Sequence, residues 1–208
     1  MMGQPTTRSD TRRTRIRRGQ LLDAALQTFI ENGYSAVGVA EIVARIGCSH
    51  GTFYNYFDNK RDALDAVLER ELAELTAIAE LHHPRPRDAT EFTGAMESLV
   101  RRLVDYVNER PDVLTFVVME APGVDDASLE LLTDAFVRFG QLCGQYFRQG
   151  IADGYLREDL DIEFAGEAMV SCLLGAVLPR MLDNTAELDV EATVETVAGF
   201  LCYGTPTV

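Results

Sequence analysis

Apolar residues recur along this chain at intervals of three and four, and nowhere in a convincing alternation of two. That period marks helices with one buried stripe. The spacing of Leu22, Ala25, Leu26 and Phe29 predicts a first helix over about 17–32. Asn32-Gly33 ends it, since glycine accepts the left-handed conformation of a helix C-cap. Two short helices follow, about 39–46 and 50–57, separated by Gly47-Cys48-Ser49, with Ser49 as N-cap of the second. A longer helix, about 60–80, buries Leu64, Leu68, Leu72 and Leu75. The run His82-His83-Pro84-Arg85-Pro86 then breaks the pattern and reads as a loop rather than a metal site. Further helices are predicted near 89–109, 112–120, 127–152, 161–183 and 188–203. Their breaks fall at Pro111, Pro122-Gly123, Gly154 and Asn184. Pro179 lies inside one of them and should bend it, because its ring meets the carbonyl of Gly175. The fold class expected is all-α.

Composition narrows the class. With 47% hydrophobic and 25% charged residues among 208, the chain is ordinary globular material. Runs such as Val113–Met119 and Ala168–Leu178 fall short of the roughly 20 residues of a membrane span. The N-terminus has no apolar signal core, so the expectation is a cytoplasmic protein without membrane. Cys48, Cys143, Cys172 and Cys202 lie far apart with no CxxC, and read as buried thiols rather than a disulfide framework or a metal site. No cofactor fingerprint is present, and none of the common catalytic motifs.

The net charge of −14 is unevenly spread. Residues 1–60 hold eight Lys/Arg against five acids, or +3, which leaves −17 on the remainder. Six arginines fall within Arg8–Arg18. Such a division turns one end of a molecule toward a polyanion and keeps the other away.

Residues 39–57 explain what the cationic end could grip. A helix-turn-helix needs a small or apolar residue where its helices cross (Val43), a glycine with positive φ (Gly47) and an apolar plug (Cys48). Apolar anchors must hold both helices, and Ile42, Ile46 and Phe53 stand at the matching offsets. The second helix is then presented to the major groove, and its short polar and aromatic residues suit phosphates and base edges.

The surrounding residues carry a resemblance. Leu21-Leu-Asp-Ala-Ala-Leu…Phe29…Gly33-Tyr34, then Ile42…Gly47-Cys-Ser-His-Gly-Thr-Phe-Tyr-Asn-Tyr-Phe57, then Asn59-Lys60-Arg-Asp-Ala-Leu64, closely resemble the DNA-binding domain of TetR-type (TetR/AcrR) transcriptional regulators. The likeness is nearly continuous over 20–68 and looser beyond, where Gly150–Asp159 matches the junction of the seventh and eighth helices. It implies an arginine-rich flexible arm (1–16), a helix-turn-helix domain (17–60), a connecting helix (61–80) and an effector-binding and dimerisation domain (81–208). It further implies that Thr52, Tyr54, Tyr56 and Lys60 meet the DNA backbone while His50, Gly51 and Asn55 lie nearest the bases, with Ser49 also among the DNA-binding residues. One position departs: Gly38 stands where similar proteins carry Ser or Thr, so a phosphate contact is missing there, and the arginine arm is a candidate to compensate.

By the same resemblance the fifth to eighth helices enclose an effector pocket. The aromatic and sulfur side chains Phe92, Met96, Tyr106, Phe116, Met119, Phe139, Cys143, Phe147, Met169 and Cys172 are its candidate lining, with Glu120 as polar group. Taken alone, each of these also reads as core. Two stripes, Ala165–Ala168–Cys172–Ala176 and Val190–Val194–Val197–Leu201, are the expected dimer interface, a four-helix bundle between subunits. The function expected is a sequence-specific, homodimeric DNA-binding regulator, chiefly a repressor released from a palindromic operator by a small, mainly apolar effector. An activator of the same fold, an all-α enzyme and a nonspecific chromosome-binding module are the alternatives.

Overall fold

The computed structural model describes residues 8–80, 86–183 and 187–203. Among them there are helices and no strand. The helices are α1 (Arg8–Asn32), α2 (Val39–Arg45), α3 (His50–Tyr54), α4 (Lys60–Ala79), α5 (Ala89–Glu109), α6 (Pro111–Thr115), α7 (Asp126–Ala152), α8 (Ile162–Leu182) and α9 (Val190–Tyr203). The His82-His83 loop lies outside the described residues. The chain divides into two compact units, Met1–Arg70 and Glu71–Val208, with the boundary inside α4.

In the first unit, Leu21, Leu22, Ala25, Leu26 and Phe29 of α1 are buried with Ile42, Val43, Phe53, Phe57, Leu64 and Val67. Gly33 takes φ 76° after α1 and Gly47 takes φ 61° between α2 and α3, the two turns where an L side chain would be strained. One boundary differs from expectation: α1 begins at Arg8, so residues 8–16 are helical rather than an irregular arm. Arginine is a good helix former. The buried half of the helix nucleates turns that need no apolar stripe of their own.

In the second unit, four helices start on aspartate caps. Asp88, Asp125, Asp161 and Asp189 accept from the backbone N–H of Glu91, Ser128, Phe164 and Ala192 at 2.9–3.1 Å. Part of the unit's negative charge thus serves helix N-termini, where it also meets the favourable end of the dipole. After α6 the backbone passes through a π-helical turn, Phe116–Glu120, and a 3₁₀ turn, Ala121–Gly123, where a single helix to 120 was expected. Helices α7 and α8 cross at glycines: a Cβ on Gly166 would stand 2.3 Å from the carbonyl oxygen of Gly140.

The last two helices face the other way from expectation. Val194, Val197 and Leu201 of α9 and Met169 of α8 are buried in the core of the protomer, so they are not an exposed seam. Ala165, Ala168, Cys172, Ala176 and Val190 are half-buried. The outward faces instead carry Phe164 (69% exposed), Leu178, Leu182 (69%) and Phe200 (68%). Both faces of α8 are therefore apolar, and by length and composition it would pass for a membrane span, unlike the shorter runs noted above.

Candidate nucleic-acid interface and effector cavity

The recognition helix α3 is short and held from beneath. Phe53 is fully buried and stacks on Phe57 with ring centroids 5.3 Å apart, which fixes the rotation of the helix. Ser49 caps it, its hydroxyl oxygen accepting from the Thr52 N–H at 3.2 Å and lying 3.1 Å from the Thr52 hydroxyl. The turn before it closes with Cys48 N–H donating to the Val43 carbonyl at 3.0 Å. With Phe53 inward, His50, Gly51, Tyr54 (55% exposed) and Asn55 turn to solvent, and Thr52 and Tyr56 are half-buried at their flanks. Gly38 does cap α2, but only through its own N–H, which donates to Glu41 Oε2 at 2.9 Å. Glycine has no side-chain oxygen to return the bond, so the expected loss of a hydroxyl there stands.

Lys60 departs from its expected role. Its ammonium donates to the carbonyls of Tyr34 and Val37, each at 2.8 Å, and lies 4.0 Å from the Tyr34 ring centre. Two of its three N–H groups are thus spent on carbonyls of the α1–α2 connection, and it is not a free point charge aimed at phosphate.

A groove of about 430 Å³ runs between α1 and α3, lined by Arg13, Thr14, Ile16, Arg17, Gln20, Thr52, Asn55 and Tyr56. It brings two arginines of the N-terminal segment beside three residues predicted to touch DNA. Helicity from Arg8 makes this possible, since Arg13, Arg17 and Gln20 share one face at helical spacing.

The second unit holds a cavity of about 70 Å³. Its walls are Leu72, Leu75 and Thr76 of α4, Leu103 of α5, Leu114 of α6 and Val118 of the π turn. Leu132, Ala135, Phe136 and Phe139 of α7 and Val170, Leu173, Leu174 and Val177 of α8 complete it. Thr76 carries the one hydroxyl, and its proton goes to the Leu72 carbonyl at 2.7 Å. Of the candidate pocket residues only Phe139 lines this space. Phe92, Met96, Phe116, Cys143, Phe147 and Met169 are buried in core packing, and Tyr106 lies against Arg110. Cys172 is half-buried off the cavity, while Met119 (50% exposed) and Glu120 turn outward, so Glu120 is not the polar pocket group. The π turn explains this: it directs Val118 inward and carries the next two residues out. Burial pushes the Cys143 thiol up to about 12, and it stays protonated and inert.

On the same side as the cavity's α4 wall, Arg110 at the α5–α6 junction donates to Glu71, fully buried, at 2.7 Å and to Glu74 at 2.5 Å. That ties α4 to the hinge between two other cavity helices. Among the described residues no group of three or more His, Cys, Asp or Glu could hold a metal ion.

An exposed polar helix seated by a glycine turn on a three-helix base defines a helix-turn-helix DNA-binding regulator. Residues 21–67 match the family described as bacterial regulatory proteins, tetR family. The chain is 23% identical over 188 residues to the fatty acid metabolism regulator protein of Bacillus subtilis, covering 89% of this chain and 93% of that protein. It is 43% identical over 130 residues to the HTH-type transcriptional activator FasR of Mycolicibacterium smegmatis, covering 56% and 59% of the two chains. The fold is that of FadR from Bacillus subtilis, solved in complex with stearoyl-CoA, with a TM-score of 0.74 at 20% identity over 89% of this chain and 98% of that one. Residues 21–67 are therefore a TetR-type DNA-binding domain, and over most of its length the chain is similar to transcriptional regulators of that type.

Proposed function

We propose that two copies of this chain bind a palindromic operator and repress transcription until an apolar effector, of the long-acyl type, occupies the cavity of the second unit. One observation carries the switch: α4 begins with Lys60 in the recognition unit and ends with Leu72, Leu75 and Thr76 in the cavity wall. A cavity of about 70 Å³ is smaller than an engineered cavity of roughly 150 Å³ that accepts benzene. Any effector therefore has to push the walls apart, and α4 is one of them. The lining, apolar except for Thr76, supports an aliphatic ligand over a polar one. The fatty-acid relative, and the fold relative that holds stearoyl-CoA, favour the same class.

In this reading His50, Gly51 and Asn55 approach base edges, and Ser49, Thr52, Tyr54 and Tyr56 the backbone. Lys60 braces the α1–α2 connection and has one donor left for phosphate. Dimerisation uses the outward faces of α8 and α9, since Phe164, Leu178, Leu182 and Phe200 are exposed apolar side chains there that a second copy would cover. A role on DNA supports a cytoplasmic location.

The experiment is operator selection from random duplexes, followed by binding titrations with and without stearoyl-CoA. A ligand acts only through its differential affinity for two states, and a typical coupling weakens DNA binding roughly 5–150-fold. Operator must weaken stearoyl-CoA binding by the same factor. Equal ligand affinities in the two titrations would remove the switch. The likeness to an activator supports a second reading, activation on the same operator. A reporter strain decides the sign, since deletion of the regulator raises expression under repression and lowers it under activation.

A further inference from the structure

The cations of the first unit are not equally available. Arg45 pairs with Glu31, Arg61 with Asp65 and Arg70 with Asp23. Lys60 is held by two carbonyls, and Arg18 lies over the Phe57 ring at 5.2 Å. Among the side chains the structure describes, from residue 12 onward, what remains is Arg12, Arg13, Arg15 and Arg17, all exposed on α1 and with no ion pair to a described acid. Arg13 and Arg17 repel one another one turn apart. A polyanion would relieve that cost. Arg13 and Arg17 also share the groove of about 430 Å³ with Thr52, Asn55 and Tyr56.

We infer that this groove is a rigid phosphate clamp: Arg13 and Arg17, presented by helix rather than by a flexible arm, hold the DNA backbone beside the bases that α3 reads. The clamp rests on the proposed DNA-binding function. It supplies donors to phosphate where Gly38 has no hydroxyl and Lys60 has two of its three N–H groups bound to carbonyls. Each arginine neutralises one phosphate, which makes four per dimer. At about 0.9 per phosphate they account for roughly 3–4 of the slope of log K against log salt.

Two variants of the full chain test it, by anisotropy on the selected operator over a salt series. Arg13→Gln with Arg17→Gln changes only exposed side chains. The slope should fall by roughly 3–4 while the preferred sequence is unchanged, and an unaltered slope would overturn the clamp. Gly19→Pro keeps every arginine but breaks the helix beneath them, since a proline ring there meets the carbonyl of Arg15. A Cβ at Gly19 has open space around it, so Gly19→Ala is a matched control that keeps the helix. A rigid clamp requires Gly19→Pro to lose the slope as the double variant does, with Gly19→Ala retaining it. If Gly19→Pro binds as the parent chain does, the arginines work as a loose arm and the clamp is wrong. Failure of the parent chain to select any duplex would instead refute the functional reading beneath it.

Discussion

Thr52, Asn55 and Tyr56 stand in a groove open to water, with two arginines opposite and a recognition helix locked by Phe53 and the Ser49 cap. The cavity of the second unit has no charged group in its wall, one hydroxyl whose proton is spent, and too little room at rest for a long acyl chain. The first surface is built before its ligand arrives, so its energy lies in charge and fit. In the proposed switch the second must deform to be filled, and the deformation is its output. A ligand site that carries a signal benefits from being incomplete, whereas one that reads a rigid duplex does not.

The sharpest way to break that contrast is to loosen the rigid side. Phe53→Ala removes a fully buried ring under α3 and should cost about 3–5 kcal/mol in chemical denaturation of the whole chain. A cost below about 1 kcal/mol would mean that the recognition helix is not locked from below. Next is the α7–α8 crossing. Gly166→Ala puts a methyl against the Gly140 carbonyl, backbone that no rotamer can clear. Overpacking of about 1–3 kcal/mol should exceed the roughly 1 kcal/mol that alanine gains over glycine in a helix. A rise in melting temperature would contradict this.

Much of this was legible beforehand, for identifiable reasons. Helix ends were visible because Gly33, Ser49, Pro111 and Gly154 act locally, and the helix-turn-helix because Gly47 and Phe53 are needed at fixed offsets. The inward face of α8 was not, since Phe164 and Leu182 outside are as apolar as Leu173 and Val177 inside, and periodicity cannot rank two apolar faces. The cavity was sought among aromatic and sulfur side chains, but these fill space well. The void lies where Leu103, Leu114 and Val177 leave it. Thr76, a single hydroxyl beside the Leu72–Leu75 stripe, was the one available sign. Nothing local to residue 60 reveals that the long Lys60 side chain folds back onto the carbonyls of Tyr34 and Val37, far away in sequence.

A smaller effect sharpens the contrast from the cavity side. Ala135→Leu fills space in the wall of the cavity and should stabilise the chain by roughly 0.5–2 kcal/mol while blunting the response to stearoyl-CoA. Destabilisation would show that the space is not empty at rest. The smallest effect is chemical. In the native protein at pH 8, Cys143 should resist alkylation, because its thiol stays protonated until about pH 12. Half-buried Cys48 and Cys172 should label well before it. Peptide mass spectrometry after timed iodoacetamide treatment reads both, and rapid modification of Cys143 would mean that the second unit opens far more often than its packing implies.

The glycine crossing of α7 and α8 has a practical bearing on sensor engineering. At Gly166 a Cβ would meet the Gly140 carbonyl, so that position cannot take a larger residue without driving the helices apart, whereas a Cβ at Gly140 or Gly144 finds ordinary contact. Libraries aimed at new inducers would waste diversity at Gly166. Leu72, Leu103 and Leu114, contributed by three other helices to the same cavity, are the positions where size can be traded for a different chemical taste.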